Sequence, residues 1–213
     1  MPSIRLDEGL SLHCAVDDYL WPWEAPTPVL MMHGFARNAA FWNRWVPAIA
    51  ESRRIYRPDL LGCGASDVPA PGYHFTPEKI AAEILAVFAA MSLKWVHWVG
   101  ESSGGIIGRL LAASHPERIA SLVLCNTPTR ISDEIKGIYA LDQESTGAAI
   151  RAHGTGEWCR RTLGYSLAST APIWRTSLHL HPINGLLECI GGAIDGGLVE
   201  MLADQHHGHR QAV

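Results

Sequence analysis

Short apolar runs alternate with stretches of helical spacing along the first 130 positions of this chain. Ile4-Arg5-Leu6 and Leu12-His13-Cys14-Ala15-Val16 flank Asp7-Glu8-Gly9, a pattern that predicts an opening β-hairpin. Pro28-Val29-Leu30-Met31-Met32-His33-Gly34 is a short apolar run ending in glycine, as expected of a strand buried on both faces of a parallel sheet. Phe41, Trp45 and Ile49 recur every four residues and predict a helix over 40–51. Arg54-Ile55-Tyr56-Arg57 predicts a further strand, closed by Pro58-Asp59 and the glycines of Leu61-Gly62-Cys63-Gly64. Thr76-Pro77 then offers an N-cap with proline at the first helical position, and Ile80, Ile84, Val87, Phe88 and Met91 follow at helical spacing. A strand is expected at 95–99, a helix over 106–114 stopped by His115-Pro116, and another buried strand over 119–126.

Strands that alternate with helices imply right-handed crossovers and a mostly parallel sheet with flanking helices, the α/β class. In such sheets the site lies beyond the carboxyl ends of the strands. His33, Asp59, Ser102 and Asn126 all fall at such ends. Past residue 130 the pattern weakens. Helical patches at Ile131–Leu141 and Trp158–Tyr165, separated by Gly and Ser, predict a short helical lid. Residues 176–213 hold five of the eleven histidines and a Gly-rich middle, Gly191-Gly192-Ala193-Ile194-Asp195-Gly196-Gly197. The expected organisation is therefore a core over 1–130, a helical lid segment over 131–175 and an atypical C-terminal tail over 176–213. The last strands of a sheet of this kind are missing from the pattern.

The most informative seven residues are Val99-Gly100-Glu101-Ser102-Ser103-Gly104-Gly105. They form a G-x-S-x-G sequence between an apolar, β-rich run and a helix-compatible one, the context that a nucleophile elbow requires. Glycine at 100 and 104 removes the Cβ atoms that would clash as the backbone doubles back. Ser102 Oγ would then stand clear at the top of the sheet, near the positive end of a helix. Glu101 reads as a surface or structural residue, with lining of the pocket as the alternative, and Cys63 as turn filler. Asp59 and Asp67 flank the Gly62-x-Gly64 turn and are expected to make loop hydrogen bonds. Trp42, Trp98, Trp158 and Trp174 are candidates for an apolar acyl pocket, although packing is the ordinary role of tryptophan.

Composition narrows the partners. A net charge of −4 carries none of the basic surface that nucleic acid or an anionic membrane favours. No apolar run approaches the ~20 residues of a membrane span, and no basic segment followed by an apolar stretch opens the chain, so a cytoplasmic location is expected. The five cysteines are scattered and odd in number, as expected of reduced thiols rather than a disulfide frame or a zinc site. His206-His207-Gly208-His209 reads as a solvated polar tail, and no metal site is expected.

With His33-Gly34-Phe35, Asp59-Leu60-Leu61-Gly62-Cys63-Gly64-Ala65-Ser66-Asp67 and Gly100-Glu101-Ser102-Ser103-Gly104-Gly105 in order, the chain resembles the α/β-hydrolase superfamily. Its small cofactor-free members, such as enol-lactonases and carboxylesterases, are the nearest in pattern. The resemblance covers residues 3–130 well and 131–175 loosely. It implies a serine hydrolase with no cofactor, acting on a small carboxylic ester or lactone. Ser102 would attack the carbonyl carbon and form an acyl-enzyme. The backbone N–H groups of Phe35 and Ser103 would form the oxyanion hole, with His33, Gly34, Gly100 and Gly104 shaping the turns around it. The superfamily order of nucleophile, acid and histidine is met formally by Asp195 or Asp204, then His206, His207 or His209. The alternative is a truncated or non-catalytic member that keeps the pocket but lacks the acid and histidine.

Overall fold

The computed structural model describes residues 3–7, 9–35, 37–70, 72–128 and 133–162. The chain divides into two compact units, Met1–Val68 with Pro77–Thr127, and Pro69–Thr76 with Pro128–Val213.

The first unit is built on a six-stranded sheet in the order β1-β2-β4-β3-β5-β6. β1 (Ser3–Arg5) and β2 (Ser11–Asp17) form the expected hairpin, with Ile4 opposite Leu12. β2 also runs antiparallel to β4 (Ile55–Pro58). The remaining neighbours are parallel: β3 (Val29–Met32) lies between β4 and β5 (Val96–Glu101), and β5 pairs with β6 (Ile119–Cys125). β3 and β4 are buried at every position, which is why both read as apolar runs without alternation.

The strand order explains where a site can form. The chain leaves β3 for β4 on one side and leaves β5 for β6 on the other, so the two connections diverge. The carboxyl ends of β3 and β5 are therefore the switch point of the sheet, the place at which α/β sheets bind ligands.

The helices of the first unit follow sequence spacing with two differences. α2 (Pro77–Ala90) buries Ile80, Ile84, Val87 and Phe88, as the periodicity predicts. The helix expected over 40–51 is instead broken into a 3₁₀ turn, Ala39–Trp42, and a short α1, Val46–Ala50. Pro47 is the cause: it has no N–H to bond back to residue 43, so the helix restarts with proline in its first turn. The buried face also differs from the expected Phe41, Trp45 and Ile49: Trp42, Val46 and Ala50 pack with Val29, Met31 and Ile55, Phe41 and Ile49 are partly buried at the edge of that cluster, and Trp45 is exposed. α3 (Ser103–Ser114) begins earlier than its apolar run, since Ser103, Gly104 and Gly105 form its first turn.

β6 departs from expectation. It reads as a buried strand, yet Val123 and Leu124 are 48% and 44% exposed. Among the described residues it has one sheet neighbour, β5, so its apolar pattern is not matched by cover on both sides.

The second unit contains α4 (Asp133–Ala140), α5 (Thr146–His153) and α6 (Thr155–Thr162). The Trp158 indole N–H donates to the Tyr139 carbonyl at 2.7 Å and ties α6 to α4. α5 was not expected, because Ser145 and Gly154 read as loop residues. They are its caps: Ser145 Oγ accepts the Ala148 N–H at 3.1 Å, and Gly154 ends the helix at φ 76°. The rest of the expected lid segment (residues 163–175, with Trp174) and the tail over 176–213 lie outside the described residues.

Candidate active site

β5 delivers the chain to Ser102, which adopts φ 51° and ψ −119°. That region is costly for a residue with a side chain, by about 1–3 kcal/mol, and persists only where the surroundings impose it. The surroundings here are explicit. The Ser102 N–H donates to the Cys125 carbonyl at 3.0 Å, and the Ser102 carbonyl accepts the N–H groups of Gly105 (3.0 Å) and Ile106 (3.3 Å). The turn is thus held by β6 before it and by the first turn of α3 after it. Gly100 is required for the same closeness: a Cβ there would overlap the Gly104 carbonyl and stand 2.5 Å from Gly105 N. Trp98, fully buried on β5, donates its indole N–H to the Gly104 carbonyl at 3.0 Å and pins the helix start to the strand.

Ser103 is the first residue of α3, so its N–H is one of the helix donors with no intrahelical acceptor. Its Oγ is buried and makes no hydrogen bond among the described residues.

Across the switch point from Ser102 lies the turn after β3. A Cβ on Gly34 would overlap the Glu101 carboxylate and lie 2.9 Å from both the Glu101 carbonyl oxygen and the Ser102 Cβ. Gly34 is therefore in direct contact with the elbow, and Phe35 is the residue that follows it. His33 is fully buried, and both its ring nitrogens are engaged. Nδ1 donates to the Gly34 carbonyl at 2.8 Å, and Nε2 accepts the Leu60 N–H at 3.2 Å. Burial pushes its pKa below the ordinary value of 6.5, against the opposing pull of Asp59. A neutral imidazole with both nitrogens committed serves the turn and not proton transfer.

Asp59 organises the far end of that loop. Its carboxylate accepts the N–H groups of Ala39 (2.6 Å) and Ala65 (3.0 Å) and contacts His13 Nδ1 at 2.9 Å. Arg57 takes the opposite side of the same residue, donating to the Ala39 carbonyl at 2.8 Å while paired with Asp17. Asp67 accepts the Ser11 N–H at 2.8 Å. These are loop-holding bonds, of the kind the glycine turn suggested.

Of the readings the sequence left for Glu101, burial removes the surface one: it is 6% exposed. Oε2 lies 3.5 Å from Arg37 Nε, an ion-pair contact, and makes no hydrogen bond among the described residues. Burial raises the Glu101 pKa, while the Arg37 guanidinium and the Gly34 N–H lower it. Arg37 was missed in the sequence. The available signal was an acidic residue inside an otherwise buried strand end, which needs a counter-charge.

The structure thus brings Ser102, Ser103, Gly34, Gly100, Gly104 and Glu101 together and places His33 behind them. Asn126, at φ 51° just past β6, is exposed. Cys63 is buried in its turn, and Trp42 is buried in the core. Asp195, Asp204, His206, His207 and His209 lie outside the described residues. Among the described residues no group of three His, Cys, Asp or Glu is placed to hold a metal, and no helix is long and apolar enough to cross a membrane.

A strained serine between a parallel strand and a helix, facing a glycine turn at a switch point, defines an α/β protein with a tight strand-to-helix turn of the G-x-S-x-G type. The chain belongs to the alpha/beta hydrolase fold family, whose model matches residues 27–169. It is similar to 2-hydroxymuconate semialdehyde hydrolase of Pseudomonas sp. (strain CF600), 36% identical over 100 residues, which are 46% of this chain and 35% of that protein. It is also similar to the pimeloyl-[acyl-carrier protein] methyl ester esterase of Aeromonas hydrophila, 34% identical over 112 residues, 52% of this chain and 42% of that one. The match spans less than half the length of either relative. Among solved structures, the enol-lactonase from Burkholderia xenovorans LB400 superposes with a TM-score of 0.66 at 24% identity, covering 96% of this chain and 77% of that one. At that identity the likeness speaks for the fold.

Proposed function

We propose that this chain is a serine hydrolase that acts on a small carboxylic ester or lactone through an acyl-enzyme on Ser102. The observation that carries the reading is the backbone of Ser102, φ 51° and ψ −119°, held by a β6 carbonyl and by the first turn of α3. Strain of this kind collects where a side chain must be presented for chemistry. In the reaction Ser102 Oγ bonds to the carbonyl carbon and the acyl C–O bond breaks. The serine proton passes by way of a base to the departing oxygen, and water then cleaves the acyl-enzyme. The Ser103 N–H, at the helix start, and the Phe35 N–H, beyond the Gly34 contact, are the donors for the oxyanion.

The two committed nitrogens of His33 argue against it as the base. The acid and base of the reading are Asp195 or Asp204 with His206, His207 or His209. A second reading, a family member that keeps the elbow without turnover, draws on β6, which among the described residues has one sheet neighbour and exposes Val123 and Leu124.

A fluorophosphonate probe followed by peptide mass spectrometry separates these readings. The first expects label on Ser102, turnover of p-nitrophenyl acetate, and loss of both in Ser102→Ala. Folded protein that takes no label overturns it. Label or ligand binding without turnover selects the second.

A further inference from the structure

We propose that Glu101 is a positioning residue: it fixes the turn that carries the Phe35 N–H by holding Arg37 and packing against Gly34. The inference rests on the assignment of Ser102 and Phe35 given above.

The turn after β3 needs an anchor in its middle. Its far end is secured, because Ala39 donates to Asp59 and accepts from Arg57. Its near end leaves β3 at Met32, and His33 bonds to the Gly34 carbonyl. Between them Phe35 and Arg37 lie in neither helix nor strand, yet an oxyanion donor is useful only when placed to within a few tenths of an ångström.

Glu101 reaches this segment at two points. Its carboxylate lies against Gly34 so closely that a Cβ there would overlap it. Oε2 also faces Arg37 Nε at 3.5 Å, with both side chains about nine-tenths buried. On its other side the Arg37 guanidinium lies over the Phe41 ring, 4.1 Å from the centroid. Arg37 is thus gripped between a strand-end carboxylate and an aromatic face of the 3₁₀ turn. A buried carboxylate is costly unless paired, so its presence here calls for a purpose. The position supplies one: Glu101 is the residue before the elbow serine, so the same strand end that presents Ser102 also holds the opposing turn. Nucleophile and oxyanion donor are thereby referenced to one rigid element.

The clamp has its own measurement, independent of any chemistry at Ser102. Hydrogen exchange of the 33–38 peptide, followed by mass spectrometry, should quicken by about tenfold or more in Glu101→Ala and in Arg37→Met, because the local opening is no longer resisted. Its catalytic consequence is a fall of about ten- to a hundredfold in Ser102 labelling rate and in kcat for p-nitrophenyl acetate, with KM nearly unchanged. Glu101→Gln keeps the shape against Gly34 and should recover part of the loss. With Arg37→Met already present, Glu101→Gln should add little, since the pair acts as a unit.

Unchanged exchange over 33–38 in Arg37→Met and Glu101→Gln overturns the proposal, as do strictly additive effects or an equal loss in KM and kcat. These two variants suffice if Glu101→Ala does not fold. Quickened exchange in the variants, with no label on Ser102 even in the unaltered protein, would leave the clamp standing and remove the serine reading.

Discussion

A Cβ added to Gly34 would stand 2.9 Å from the Cβ of Ser102. The turn after β3 and the elbow after β5 therefore meet with no side chain between them, at the point where the sheet's connections diverge. Gly34→Ala tests the meaning of that contact. The added methyl displaces the Glu101 carboxylate and also meets the Glu101 carbonyl and the Ser102 Cβ, and these last two cannot retreat without moving the strand end. The expected outcome is a drop of about a hundredfold in Ser102 labelling and ester turnover, comparable to losing an oxyanion donor. A Gly34→Ala protein that reacts at the unaltered rate would detach this turn from the chemistry.

The strain at Ser102 predicts an exchange of stability for reactivity. Ser102→Gly removes the side chain that disfavours φ 51°, so stability in urea should rise by about 1 kcal/mol while labelling disappears. Ser102→Ala also abolishes labelling but keeps a Cβ in the same backbone region, and should gain much less. Equal stability of the Gly and Ala variants would show that the backbone there is relaxed.

What was legible in the sequence follows the physics of each element. β3 and β5 showed themselves because parallel strands inside a sheet must be apolar, and the elbow because its turn demands small residues at fixed offsets. The 40–51 helix misled, since its spacing of Phe41, Trp45 and Ile49 assumes one unbroken helix, whereas Pro47 interrupts the hydrogen bonds and the chain turns Trp42, Val46 and Ala50 inward instead. α5 was hidden because Ser145 and Gly154 serve equally as caps and as loop residues. Arg37 escaped because its partner Glu101 is a neighbour in space across two strands. His33 could be assigned to the turn by its place beside glycine, but only coordinates reveal that both its nitrogens are engaged.

Asp59 should prove structural. Asp59→Ala leaves the Ala39 and Ala65 N–H groups without their acceptor and removes the partner of His13. A buried donor left unsatisfied costs about 1–3 kcal/mol, so urea denaturation should report a loss of about 3 kcal/mol or more. The surviving folded fraction should still label at Ser102. A variant of full stability with no reactivity would instead make Asp59 a participant in the chemistry.

The thiols should differ sharply in native protein. Burial pushes Cys14 up to about 12 and Cys159 to about 11, so neither offers thiolate at neutral pH. Cys63 is buried in its turn, whereas Cys125 is partly exposed at the end of β6. Among these four, Cys125 should be the first to react with iodoacetamide, as read by peptide mass spectrometry. Early modification of Cys14 would mean that β2 opens readily.

Two buried groups give opposite dependences of stability on pH. His33 has a folded pKa below its ordinary 6.5, chiefly from burial, so the unfolded chain binds the extra proton first. Its contribution is complete above that value and is lost as pH falls through it. Glu101 has a folded pKa above its ordinary 4.5, also chiefly from burial, so the folded chain binds its proton first. Its ionised form burdens the fold at neutral pH, and acidification relieves that burden. His33→Gln should therefore cost most stability at pH 7.5, with the gap to the unaltered protein narrowing toward pH 5.5. Glu101→Gln should run the other way, comparing best with the unaltered protein at pH 8 and worst near pH 5. Urea midpoints across this range measure both gaps. Parallel curves for His33→Gln would mean that its imidazole titrates in the fold as it does in water, which two engaged nitrogens in a buried turn should prevent.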